Sequence, residues 1–268
     1  MVEIFDNIRQ LYNFSAPCPE LEAYIEFISE SSFEETALHA NNSPFTVKMF
    51  PSWTPTIWIN LGAPYELITT RNSYHISANH DVLILRDSIT ARHNLPADYI
   101  FTVKFFPGGL EAILGINQAQ FINKVVALKH ILPALLIHQV KTAGSFEARK
   151  ALVQHFFLSQ LSRQQKKDHY IHLVKDSIDL YAANRMQYNT SEIAEKMFIT
   201  SKTINRYFNA IVGISPKKYF SILRARAALT AYVADKDAFS PCHHGYYDMS
   251  HFYKEVISFT GQGLAAQQ

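Results

Sequence analysis

A chain of 268 residues that is 48% hydrophobic, 13% aromatic and 18% charged excludes the disordered and fibrous classes and is long enough for two domains that each bury a core. No apolar run approaches the roughly 18 residues that a membrane span needs, and the opening Met-Val-Glu-Ile-Phe-Asp lacks the basic and apolar regions of a secretory leader, so a cytoplasmic protein is expected. The net charge of +2 divides unevenly: residues 1–165 hold 12 Lys+Arg against 14 Asp+Glu and residues 166–268 hold 13 against 9, that is −2 and +4, a modest surplus of the sign that suits a polyanion.

From about residue 21 to 106 short β-branched and aromatic runs alternate with turn residues. Phe45–Phe50, Thr56–Leu61, Tyr65–Thr70, Asp81–Arg86 and Tyr99–Phe105 are predicted strands, separated by Pro-Ser, Gly-Ala-Pro, Arg-Asn-Ser and Leu-Pro-Ala. Strands at this spacing predict a small barrel-like or sandwich domain, cupin-like in pattern. After Pro107-Gly108-Gly109 the composition turns to Leu, Ile, Ala and Gln, and helices are predicted near 109–115, 132–141 and 145–163. The polar run Ser162-Arg163-Gln164-Gln165-Lys166-Lys167-Asp168 is the expected linker. It divides a β-rich domain over 1–165 from an all-helical domain over 166–268.

The helical half carries the chemistry. Thr190-Ser191 followed by Glu192 reads as a helix start, with a hydroxyl as cap and an acid where the helix dipole favours it, giving a short helix over 191–198. Thr200 opens a second helix in which Ile204, Tyr207, Phe208 and Ile211 fall at i, i+3, i+4 and i+7, a single buried stripe. Its other face offers Ser201, Lys202, Thr203, Asn205 and Arg206: hydroxyls for phosphates or base edges, Asn suited to adenine, Arg to guanine or phosphate. Two short helices with a tight connection and a donor-rich second member form a helix-turn-helix pattern. Gly213-Ile214-Ser215-Pro216 then supplies a stop, a cap and a first-turn proline for a long helix to about Val233, roughly 27 Å of spacer. Beyond it Asp248 caps a further helix with Phe252, Val256 and Phe259 as its buried stripe, leaving Met249, Ser250, His251, Tyr253 and Lys254 as candidate contacts.

These residues resemble the DNA-binding domain of the AraC/XylS family of transcriptional regulators. Ile193-Ala194, Ser201 to Phe208, Gly213 to Tyr219, Arg224 and Ala228 resemble its first unit and connecting helix, and Gly245 to Glu255 with Phe259-Thr260-Gly261 resemble its C-terminal signature. The resemblance implies two helix-turn-helix units on duplex DNA, with Lys202, Arg206, Lys217, Lys218 and Lys254 on phosphates and Ser201, Thr203, Asn205, Arg206, Met249 and His251 choosing sequence. It further implies an N-terminal domain that senses a small-molecule effector or forms a homodimer through helices between 132 and 163, with RNA polymerase as a further partner. Two departures stand out. Phe198 replaces a glycine, which predicts a wider or shifted turn, and Phe239-Ser240-Pro241-Cys242-His243-His244 replaces an Ile-Ala helix that Pro241 would interrupt. The helix from Ser201 to Ile211 is therefore the expected principal reader.

No catalytic constellation stands out, and no cofactor or metal is expected. Cys18 and Cys242 lack finger or CxxC companions. His75 and His80 lie among strands without His-x-His spacing, and the glycines after Pro107 lack the Lys-Ser/Thr of a phosphate loop. Trp53, Trp58, Tyr65, Phe101, Phe105 and Phe106 are the expected β core, with an aromatic-lined effector pocket as the lesser alternative. The rival functions are a cupin-like metalloenzyme fused to a DNA-binding tail, and a protein-interaction module that never meets DNA.

Overall fold

A computed structural model describes residues 11–94, 98–164, 169–261 and 263. The expected linker falls partly outside the described residues, at 165–168. The strands are β1 Tyr12–Ser15, β2 Ile25–Ser31, β3 Phe45–Met49, β4 Pro55–Asn60, β5 Tyr65–Thr69, β6 Ser73–Ile76, β7 Val82–Leu85, β8 Thr90–Asn94, β9 Ile100–Phe105 and β10 Val125–Ala127. They form two antiparallel sheets, ordered β1-β2-β9-β4-β7-β10 and β3-β8-β5-β6. The sheets are not joined into a closed barrel among the described residues, so the β region is an open two-sheet version of the expected barrel.

Strand alternation makes the larger sheet the middle of three layers. Trp58, Val82, Ile84 and Ile100 face the second sheet and meet Val47, Met49, Tyr65, Leu67 and Ile76. The opposite parity, Ile57, Ile59, Leu83, Leu85, Phe101, Val103 and Phe105, faces helices. Covered on both faces, β4 and β9 are buried along their whole lengths, which is why they read as near-continuous apolar runs. β8 inverts the usual pattern: its buried residues are Thr90, Arg92 and Asn94, and Arg92 lies 2.6 Å from Asp98 with its guanidinium over the rings of Trp58 and Tyr65.

The helices are α1 Phe33–His39, α2 Gly109–Leu114, α3 Ala134–Thr142, α4 Phe146–Arg163, α5 His169–Ala183, α6 Thr190–Lys196, α7 Ser201–Ile211, α8 Pro216–Ala234 and α9 Met249–Thr260. One apolar cluster runs without a break from Leu21 and Phe105 through Phe157 of α4 to Phe208, Phe220 and Phe252. The helical half therefore packs directly on the β half. No described helix is long and apolar enough to cross a membrane.

Candidate nucleic-acid interface

The first unit is α6, a tight turn and α7. Asn189, not the expected hydroxyl, caps α6: its side chain accepts from the Ser191 and Glu192 amides at 2.8 and 3.1 Å. The Asn189 amide donates in turn to the Glu192 carboxylate at 2.7 Å, completing a capping box. At the other end the Ile199 amide donates to Ala194 O and the Phe198 amide to Glu195 O, at 2.9 and 3.0 Å, the closure that normally places glycine at the left-handed position. Phe198 holds that position with φ of 56°. The expected wider turn is not formed: tight backbone bonding keeps the glycine-type geometry and leaves the phenyl ring 96% exposed.

Thr200 caps α7 by accepting from the Thr203 amide at 3.1 Å. Ile204, Phe208 and Ile211 are buried, whereas Tyr207 is half-buried against the ring of Tyr170 on α5, 4.4 Å away. On the outer face Ser201, Lys202 and Arg206 are exposed and Thr203 and Asn205 half-buried. The Asn205 amide donates back to Ser201 O at 2.8 Å, and Arg206 donates to the Tyr207 hydroxyl at 3.0 Å, so both groups must exchange these local bonds to meet a base edge. Asn209, exposed and one turn beyond Asn205, continues the same polar face. Its spacing of four from Asn205 was the available signal.

Gly213, with φ of 91°, and the Ser215 cap lead into α8, whose 19 residues span about 28 Å. In the second unit the expected irregular first helix is a single 3-10 turn, Pro241–His244. Phe239 supports it, stacking on His244 at 5.5 Å and packing on Phe252 at 4.9 Å. Asp248 caps α9 by accepting from the His251 amide at 2.7 Å. Phe252 and Val256 are buried, and Met249, Ser250, His251, Tyr253 and Lys254 are exposed. Arg224 of α8 fixes α9 to the spacer: its guanidinium lies 2.8 and 2.9 Å from the two Glu255 oxygens and 4.6 Å over the Tyr246 ring. Burial opposes the Arg224 charge, but the hydrogen bonds and charge of Glu255 raise its pKa above the ordinary value.

An open groove of 760 Å³ separates the units, lined by Gln187, Ser191, Lys217, Ser221, Arg224 and His251 among others. The groove brings Lys217 of α8 and His251 of α9 to one surface. Lys218, exposed like Lys217, lies outside the groove lining with its ammonium 5.9 Å over the Phe259 ring. Gln187 before α6, Ser191 of α6 and Ser221 of α8 meet only in this groove, and no local pattern marks them as neighbours. His75 pairs with Glu66 at 2.6 Å and His80 bonds Ser77 at 3.0 Å, and among the described residues no three His, Cys, Asp or Glu side chains converge as a metal site.

The fold and site thus define a class: a two-sheet β domain packed against helices that present two helix-turn-helix-like units. No family model matches the chain, and no curated protein matches it. Among solved structures the chain is similar to ToxT from Vibrio cholerae, at 12% identity over 83% of this chain and 92% of that one with a TM-score of 0.48. A ToxT structure with a bound unsaturated fatty acid is similar at 13% identity, over 84% and 92% of the two chains, with a TM-score of 0.43. The AraC-like transcriptional activator CuxR is similar at 13% identity, over 84% and 88%, with a TM-score of 0.30.

Proposed function

We propose that the chain is a DNA-binding transcriptional regulator of AraC/XylS type and not an enzyme, and that α7 and α9 enter successive major-groove segments on one face of duplex DNA. The observation that carries this reading is α7 itself: a capped helix with a buried apolar stripe and an exposed face of Ser201, Lys202 and Arg206, joined by a rigid spacer to a second capped helix with its own exposed polar face. Lys202, Arg206, Lys217, Lys218 and Lys254 supply phosphate contacts. Ser201, Thr203, Asn205, Arg206, Met249 and His251 choose sequence, and Ser250 and Tyr253 complete the α9 surface. A bacterial cytoplasm, a homodimer formed through α3 and α4, and contact with RNA polymerase belong to the same proposal. Leu135, 67% exposed on α3, is the apolar side chain offered to a second copy.

The β half suits an effector. Between the sheets lies a cavity lined by Met49, Trp58, Arg86, Arg92 and Lys104, apolar and polar groups together of the kind that line small-molecule sites. Its 40 Å³ is room for about one water, so a larger effector enters by moving side chains.

The test is selection of duplexes from a randomised library by the full chain, followed by hydroxyl-radical footprinting. Two protected segments about 10 base pairs apart on one face are expected, with Arg206→Ala weakening the selected duplex by about 1–3 kcal/mol. Absence of any enriched sequence, or unchanged binding by Arg206→Ala, contradicts the reading.

A further inference from the structure

The β half touches each of the three helices that carry the proposed DNA contacts. Phe50, beside β3, packs on Phe259 of α9 with ring centroids 5.9 Å apart. Glu26 of β2 lies 3.4 Å from Arg226 of α8 and 3.0 Å from the buried Lys104 of β9. The most specific contact is with α7. Asn117 donates to Ala210 O at 2.8 Å. Gln118, fully buried, donates to Val212 O at 3.1 Å and Trp53 O at 3.0 Å and accepts from the Gly108 amide at 3.0 Å.

Ala210 and Val212 are at the C-terminal end of α7, where helix carbonyls lack intrahelical donors. Here side chains more than ninety positions earlier in the chain satisfy them. The Gln118 amide uses both of its N–H groups and its carbonyl, so it joins the loop before β4, the turn after β9 and the end of α7 through one planar group. Backbone fit is equally close. A Cβ on Gly108 would stand 2.8 Å from Ile211, and one on Gly213 would stand 2.9 Å from Ile122.

We propose that Gln118, with Asn117 beside it, is a positioning residue for DNA reading, and that the β half is a structural part of the reading head. The inference rests on the DNA-binding function proposed above. A helix held at its C-terminal end keeps its exposed N-terminal face at a set angle to α9. Releasing that end costs sequence discrimination, because base contacts need exact placement, and leaves phosphate attraction, which does not.

The test uses the full chain, a duplex selected by the wild-type protein and a scrambled duplex of equal composition. Gln118→Met, close in shape but without polar atoms, is expected to bind the selected duplex about tenfold more weakly, the scale of one buried hydrogen-bonding group lost, with its affinity for the scrambled duplex and its salt slope unchanged. Leu67→Ala, in the core between the sheets and distant from α7, serves as the control for lost stability and is expected to keep the wild-type ratio of the two affinities. Asn117→Ala is a milder variant that answers the question if Gln118→Met does not fold, with an expected loss of about threefold. A wild-type ratio in Gln118→Met, or in Asn117→Ala when it stands in, overturns the proposal, as does an equal loss of ratio in Leu67→Ala. Arg206→Ala separates the levels: if it loses the selected duplex while the Gln118 and Asn117 variants do not, only the positioning role fails. If Arg206→Ala changes nothing, the DNA-reading function and this inference fall together.

Discussion

Removing the Arg224–Glu255 pair tests how the second unit is held. The pair is bidentate, with side chains only 20% and 15% exposed. Charge-assisted bonds of this kind contribute about 1.5–3 kcal/mol, and breaking a fully buried pair costs about 3–5 kcal/mol because one charge is left without a partner. Residual exposure lets water reach either group, so Arg224→Met and Glu255→Gln are each expected to cost about 2 kcal/mol. The double variant should cost little more than either alone, a coupling of about 1.5 kcal/mol. Urea unfolding of the four proteins measures the cycle, and footprinting adds a functional readout: Arg224→Met should lose protection of the second groove segment before the first. A coupling below about 0.5 kcal/mol, the value of an exposed ion pair, would refute the assignment of Arg224 as the tie between α8 and α9.

Phe198→Gly should raise stability by about 0.5 kcal/mol, since relief of a left-handed side chain is worth about 1–2 kcal/mol and the added freedom of glycine in the unfolded chain takes back about half; a lowered melting temperature contradicts this. Glu26 is buried, which alone would raise its pKa, yet Lys104 and Arg226 hold it at about 2, below the ordinary 4.5. A depressed carboxylate stabilises the fold above pH 4.5 and loses that contribution as pH falls toward 2. Wild type and Glu26→Gln should therefore converge in urea stability over that interval, from a difference of at most about 3 kcal/mol, and parallel curves would exclude the ion pair as the cause.

The strands and helices foreseen from periodicity were those whose pattern is locally complete. β4, β7 and β9 announce themselves because both faces are covered, and α7 because its stripe and cap lie within a dozen residues. β8 was hidden because its inward residues are Thr90, Arg92 and Asn94, polar groups that break the apolar alternation, and of these Arg92 is carried by Asp98 and the rings of Trp58 and Tyr65. At the site, the recognition-helix faces were legible, but whether Asn205 and Arg206 point outward unengaged was not, since their local bonds depend on rotamers. The Gln118 contacts were invisible for a different reason: they join positions separated by 65 and 94 residues, a relation that no local pattern encodes.

The central claim is that cations on α7, α8 and α9 meet the phosphates of a duplex while α7 reads its bases. Affinity for the selected duplex, measured against salt concentration, tests it most directly. Counterion release at the five cations assigned to phosphates predicts a slope of log K on log salt of about −4 to −5. Lys202→Ala should move that slope toward zero by about 1 and leave sequence preference intact, whereas Arg206→Ala should relax the preference at one position. Binding that stays constant with salt, or a slope untouched by Lys202→Ala, would contradict the assignment.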